Sequence, residues 1–215
     1  MIQPRRVALF GGTFDPIHVG HLAAARAAVA SGLVDEVLFI PAGDPPHKPA
    51  GAHASTEERW LMTHLATLDE PRFRVVRWEI DREGPSFAVD TVHHARKALA
   101  GPDGQAPELY WVIGTDAMAL IDTWRRVREL FSLTRFLVIA RSGFDEAALR
   151  QHLAGTVPWA PPDALRFVPM DLVEVSSTAI RGALAGGATP EAALPAPVER
   201  YVTKYGLYRA QEVAR

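Results

Sequence analysis

Short apolar runs alternate with longer amphipathic stretches along the whole chain. Six runs, at 7–10, 36–41, 73–78, 108–114, 134–140 and 165–168, have the length of strands. That at 36–41 is a continuous apolar run, of the kind covered on both faces, and that at 108–114 again ends in glycine. The opening run ends in Gly11-Gly12, which is expected to break it. Between the runs the pattern predicts helices over 21–31, 56–68, 87–100, 116–121, a further one ending near 131, then 145–153, 176–184 and 197–205. The first is rich in alanine and stopped by Gly32. The second opens on Ser55 with Glu58 three residues on, a capping box. Its apolar face is expected to be Trp60, Leu61, His64, Leu65 and Leu68. The last carries Pro197 in its first turn. This β-α alternation predicts an α/β fold, a parallel sheet with helices on both faces and right-handed crossovers. No repeat of period 20–50 interrupts it. The chain reads as one domain over 1–215, with a small C-terminal helical part at about 176–208.

Composition narrows the class. The 215 residues are 48 % hydrophobic and 22 % charged, with net charge −2, so no nucleic-acid-binding face is implied. The absence of cysteine excludes a disulfide framework, thiolate nucleophiles and Cys-ligated zinc. No apolar run approaches the ~20 residues of a membrane span. The N-terminal residues run straight into a strand without a signal-like apolar segment, and a cytoplasmic location is expected.

Four polar stretches sit where strands end or helices begin. The first is Gly11-Gly12-Thr13-Phe14-Asp15-Pro16-Ile17-His18-Val19-Gly20-His21. A strand, a glycine turn and a helix N-terminus gather backbone N–H groups into an anion site, and two histidines three apart add donors. Gly20 between them would let a phosphate approach the backbone. The stretch is neither G-x-G-x-x-G nor a P-loop. The histidines alone also fit a helix cap or a metal pair; only Asp15 stands near as a further ligand, and no metal site is assigned. The second stretch, 41–48, carries His47 and Lys48 in a loop stiffened by proline: a phosphate clamp or a solvated tip. The third, Gly114 to Asp116, puts a carboxylate where it could accept from sugar hydroxyls or simply favour a helix N-terminus. The fourth, Ser176-Ser177-Thr178-Ala179-Ile180-Arg181, caps a helix, leaves N–H groups for an anion and sets an arginine on its first turn, or is an ordinary cap. In a parallel sheet the first three share one edge, where ligands of open α/β sheets bind. Trp124 fits a flat ring or the core, and Arg125 beside it favours an anionic substituent.

The stretch 11–22 together with 176–181 resembles the nucleotidyltransferase superfamily with H-x-G-H and S-x-T-x-I-R signatures, and within it the bacterial nicotinate-nucleotide adenylyltransferases. Pro45-Pro46-His47-Lys48, Glu58 to Met62, Gly84-Pro85-Ser86 with Asp90-Thr91, Ile113 to Ala117, Trp124 and Val198 to Tyr208 extend the resemblance over nearly the whole chain. It implies a Rossmann-like fold and the reaction of ATP with nicotinate mononucleotide to deamido-NAD and pyrophosphate. It implies that His18, His21 and Arg181 are catalytic and, with Ser177, hold the ATP phosphates. Gly11, Gly12, Thr13, Phe14, Gly114, Ser176 and Thr178 would complete the ATP side, with Asp116 on a nucleotide sugar. Thr13, His47, Lys48, Ser86, Trp124 and Arg125 would face the acceptor, Trp124 stacking on its pyridine ring. Mg2+ would arrive with ATP. The partners implied are ATP and a pyridine mononucleotide, with no nucleic acid and no membrane, and a homo-oligomer left open. One departure stands out: the family pattern Pro-Ser-Tyr-Thr reads Pro85-Ser86-Phe87-Ala88 here, so a hydroxyl expected at the acid group is missing. Nicotinamide mononucleotide or a phosphopantetheine are the alternative acceptors, and a nucleotide-binding sensor the alternative to an enzyme.

Overall fold

In the computed structural model, residues 5–45, 52–102, 104–141, 143–171, 173–188 and 190–209 are described. Six strands alternate with eight helices among them: β1 (Arg6–Gly12), α1 (Val19–Ala30), β2 (Glu36–Pro41), α2 (Thr56–Thr67), β3 (Phe73–Val75), α3 (Ala88–Ala98), β4 (Glu108–Gly114), α4 (Thr115–Ala119), α5 (Val127–Leu133), β5 (Arg135–Arg141), α6 (Glu146–Thr156), β6 (Leu165–Met170), α7 (Ser177–Ala185) and α8 (Ala196–Tyr205). A single turn of 3-10 helix, Ile121–Thr123, joins α4 to α5. All strands pair in parallel in the order β3-β2-β1-β4-β5-β6. The order reverses between β1 and β4, the place where a Rossmann-like sheet opens a crevice at its carboxyl edge.

The strands are buried on both faces because successive side chains point to opposite sides. Ala8, Val37, Phe39, Tyr110 and Val112 meet α1, α2, α7 and α8 on one face. Leu9, Leu38, Ile40, Trp111 and Val138 meet α3, α4, α5 and α6 on the other. Leu22, Ala25 and Ala28 let α1 lie close on the sheet. No described helix is long and apolar enough to cross a membrane.

Three expectations are corrected. The glycine pair does not break β1 but continues it, with Gly11 opposite Ile40 and Gly12 opposite Pro41. A side chain at Gly11 would sit 2.8 Å from the Trp111 ring, and one at Gly12 2.9 Å from the Phe14 ring, so neighbouring aromatics use the space. The third strand stops at Val75 rather than 78. The buried face of α2 is also not the predicted one: Arg59, Met62, Thr63 and Thr67 face inward, whereas Leu68 is exposed. Thr63 and Thr67 satisfy themselves by donating to the Arg59 and Thr63 carbonyls one turn back. Trp60 and His64 stack on the outer side under the guanidinium of Arg77. The capping box of Ser55 and Glu58 forms as predicted.

Candidate functional site

The chain leaving β1 enters α1 through His18, which is its N-cap with extended backbone. The His18 N–H donates to His21 Nδ1 at 3.2 Å, and the two rings stack at 3.7 Å between centroids. A neutral His21 that accepts at Nδ1 carries its proton on Nε2, which makes that nitrogen a donor. Edge-to-face contact with the buried Phe14 ring, 5.1 Å away, fixes the plane of His21. His18 is 8 % exposed and its Nδ1 is buried without a hydrogen-bond partner. Burial pushes the His18 pKa down to about 4, so the ring is neutral at pH 7. Gly20 lacks a side chain for a packing reason: a Cβ would meet Val175 Cγ1 at 2.9 Å and His18 Nδ1 at 3.1 Å. The Val19 N–H is already accepted by the Ala193 carbonyl, which narrows the anion site expected from the helix N-terminus.

The start of α7 is latched onto this turn across 160 residues of sequence. Ser176 caps α7 by accepting from the Ala179 N–H at 3.1 Å. Ser177 Oγ donates to the Pro16 carbonyl at 2.9 Å. Arg181 Nη1 donates to the Asp15 carbonyl at 2.7 Å, and its Nη2 to Thr178 Oγ1 at 3.2 Å. The predicted groups His18, His21, Ser176, Ser177, Thr178 and Arg181 therefore belong to two segments joined through Asp15-Pro16.

Asp15 is the hub of that junction. Its carboxylate, 1 % exposed, accepts from the N–H groups of His53 and Ala54 and from the Tyr208 hydroxyl at 2.8 Å. Burial alone would raise its pKa, but those donors and the Arg181 charge outweigh it and hold the carboxyl below the usual range. Burial beside Asp15 pushes the Tyr208 hydroxyl far up, so it stays a donor.

Beside this turn lies a cavity of about 420 Å³. Gly11, Gly12 and Thr13 from the end of β1 form one wall, and Ala42 and Pro45 from the end of β2 another. Trp111, Thr123, Trp124, Arg125 and the stretch Ser86, Phe87, Ala88 close it. Trp124 stands edge-to-face on Trp111, with ring centroids 6.2 Å apart. The exposed Arg125 guanidinium lies 4.7 Å over the Phe87 ring. Ser86 Oγ accepts from the Gly43 and Asp44 N–H groups and its hydroxyl bonds to Glu79. A hydroxyl has one donor and two acceptor sites, so both acceptor sites of Ser86 are taken and its proton is directed toward the Glu79 charge. Gly114 opens α4 at the end of β4 with open space around its Cα, and Asp116 follows, exposed, on the first turn. Phe14 presents only backbone, since its ring is 2 % exposed. His47 and Lys48 lie outside the described residues. Among the described residues no three of His, Asp and Glu gather as a metal cluster.

Two buried charges were not foreseen. Arg59 is 1 % exposed and reaches from α2 under both loops, donating to the Thr13 carbonyl at 2.8 Å and the Gly43 carbonyl at 3.4 Å. Burial pulls its pKa down, and the nearby Asp15 charge opposes this. Glu79, on the cavity wall, is 4 % exposed and accepts from Thr91 Oγ1 at 2.5 Å. Burial pushes its pKa up, against the Thr91 and Ser86 donors and the Arg82 charge. Nothing in the hydropathy pattern marks either residue, because each is one charge among several in its stretch. Their signal is three-dimensional.

The profile of the cytidylyltransferase-like family matches residues 9–183. A protein of Thermoanaerobacter sp. (strain X514) named "Probable nicotinate-nucleotide adenylyltransferase" is 38 % identical over 212 residues, 99 % of this chain and 98 % of the relative. One of Nocardioides sp. (strain ATCC BAA-499 / JS614) with the same name is 43 % identical over 200 residues, covering 92 % and 91 %. Among solved structures, Plasmodium falciparum nicotinic acid mononucleotide adenylyltransferase complexed with NaAD matches with TM-score 0.71 at 15 % identity, over 95 % of this chain and 97 % of that one.

Proposed function

The chain belongs to the cytidylyltransferase-like family of nucleotidyltransferases, among the nicotinate-nucleotide adenylyltransferases, and from that premise we propose how its site works. It joins ATP to nicotinate mononucleotide, giving deamido-NAD and pyrophosphate in NAD biosynthesis. The observation that carries this reading is the latch of Ser177 and Arg181 onto Asp15-Pro16, which sets the His18–His21 pair and the α7 N-terminus around one turn beside the Trp124 cavity.

A phosphate oxygen of the mononucleotide attacks the α-phosphorus of ATP. The bond to the bridging oxygen breaks, and pyrophosphate leaves with the electron pair. A phosphate monoester has a second pKa of about 6, so the nucleophile is already an anion and needs no general base. The chain supplies position and charge. His21 Nε2–H and His18 donate to the triphosphate, and Arg181 adds a fixed cation. The Ser177 and Thr178 N–H groups at the start of α7 face the same anion. ATP enters as its magnesium complex, whose ion belongs to the substrate and needs few protein ligands. Gly114 and Asp116 border the nucleoside. Trp124 stacks on the pyridine ring, and Arg125 with the backbone N–H groups beside it takes the carboxylate.

Ala88 carries no hydroxyl, and that of Ser86 is engaged with Gly43, Asp44 and the Glu79 charge, which favours nicotinamide mononucleotide as a slower second acceptor. The test measures pyrophosphate release with ATP and nicotinate mononucleotide, nicotinamide mononucleotide or phosphopantetheine in parallel. Release with the nicotinate acceptor is expected to be fastest. ATP binding without release on any acceptor would identify a sensor instead.

A further inference from the structure

The described wall of the Trp124 cavity carries two charges, and they differ in setting. Arg125 is exposed and lies over Phe87. Glu79 is buried and makes no ion pair among the described residues; Arg82 acts on it only through its field. Both hydroxyls that reach Glu79 are donors, from Thr91 on α3 and from Ser86. The Ser86 oxygen already accepts two backbone N–H groups, so toward Glu79 its hydroxyl can act only as a donor. Such a shell favours the carboxylate over the acid, while burial, the larger effect, raises its pKa. A buried anion without a counter-ion is costly, and a cationic ligand next to it recovers that cost. Indole faces beside an anion are also the surroundings in which quaternary nitrogen cations bind.

We propose that Glu79 is the counter-charge for the positively charged pyridinium ring of the acceptor, so that the cavity recognises ring charge as well as ring shape. This rests on the reading of the cavity as the site of a pyridine mononucleotide. A nicotinate ring then meets opposite charges on opposite features: its cationic ring faces Glu79, and its carboxylate faces Arg125. A nicotinamide ring keeps only the first of these contacts. Glu79 thus serves both acceptors alike, and Arg125 separates them.

The 1,4-dihydro form of the mononucleotide separates charge from shape, because reduction removes the ring's positive charge and keeps the phosphate, ribose and substituent. The readout is kcat/KM for the oxidised acceptor divided by that for the reduced one, on the same preparation, so the fraction of folded enzyme cancels. In E79Q this ratio is expected to fall about tenfold or more, the scale of losing one partner of a desolvated charge pair. E79D, which keeps the charge on a shorter stem, should keep most of it. If turnover of the variants is too low, quenching of tryptophan fluorescence by each form gives the same ratio from binding. An unchanged ratio in E79Q, with both forms weakened equally or neither, overturns the proposal and leaves Glu79 a support for Ser86. Failure of the unsubstituted enzyme to accept any pyridine mononucleotide is a different outcome, and overturns the reading of the cavity itself.

Discussion

His18 meets two demands in one ring. It caps α1 in a site closed enough to keep the imidazole neutral, and it leaves Nδ1 without a partner. Its pKa of about 4 lies below the ordinary value of 6.5. Between these values the unfolded chain takes up a proton that the folded chain refuses. Stability from this residue is therefore complete above about pH 6.5 and is lost as pH falls toward 4. In urea titrations the drop in unfolding free energy from pH 7 to pH 5 should be about 2 kcal/mol smaller in His18→Gln than in the unsubstituted protein. The same variant should lose about 10²-fold or more in kcat, the scale of one donor to a transition-state charge. Gly20 supplies the complementary test. Gly20→Ala inserts a methyl group 2.9 Å from Val175 Cγ1, and overpacking of this kind costs about 1–3 kcal/mol. Adding Val175→Ala should restore most of the stability. Activity should return less fully, because the His18 contact at 3.1 Å remains.

At the scale of elements, the join between α7 and the β1–α1 turn is built from side chains donating to backbone carbonyls. Ser177→Ala orphans the Pro16 carbonyl and should cost about 1 kcal/mol in thermal or chemical denaturation. Arg181→Met keeps the aliphatic stem but loses the bond to Asp15, and kcat should fall far more than stability does. Arg181→Lys should not rescue it, since one ammonium cannot span Asp15, Thr178 and a phosphate as a guanidinium does. Such joins explain what the sequence could and could not show. The strands were legible because a residue buried on both faces of a parallel sheet must be apolar, and β2 and β4 match their predicted bounds. The caps at Ser55 and Ser176 were legible because capping is local chemistry. The inward face of α2 was not. Arg59 points at the loop carbonyls of Thr13 and Gly43, and the two threonines hide their hydroxyls on their own helix, so a polar stripe is the buried one. The glycine pair misled for a similar reason: Trp111 and Phe14 fill the space that marks a turn elsewhere.

Over the whole molecule, Asp15 draws together pieces that are far apart in sequence: the residues before α2, the first turn of α7 and the segment after α8. The turn that presents His18 is held from three sides, so Tyr208 contributes to a site whose cavity it does not line. Tyr208→Phe removes one donor to a buried carboxylate and nothing else. A hydrogen bond to a charged group contributes about 1.5–3 kcal/mol, and the variant should lose about that much at pH 7. The pH dependence of the loss identifies the partner. The Asp15 carboxyl sits below the usual aspartate range in the folded protein, so the stability it confers is present above that range and disappears as pH falls through its lowered pKa. The penalty of Tyr208→Phe should accordingly stay constant down to about pH 4 and shrink only below it. A penalty that faded near pH 6 would assign the contact to a histidine instead. If the hub also aligns the histidine pair, the variant at pH 7 should lose kcat while its affinity for ATP, held by the intact α7 latch, changes little. Measuring both in one preparation separates a loosened site from a loosened fold.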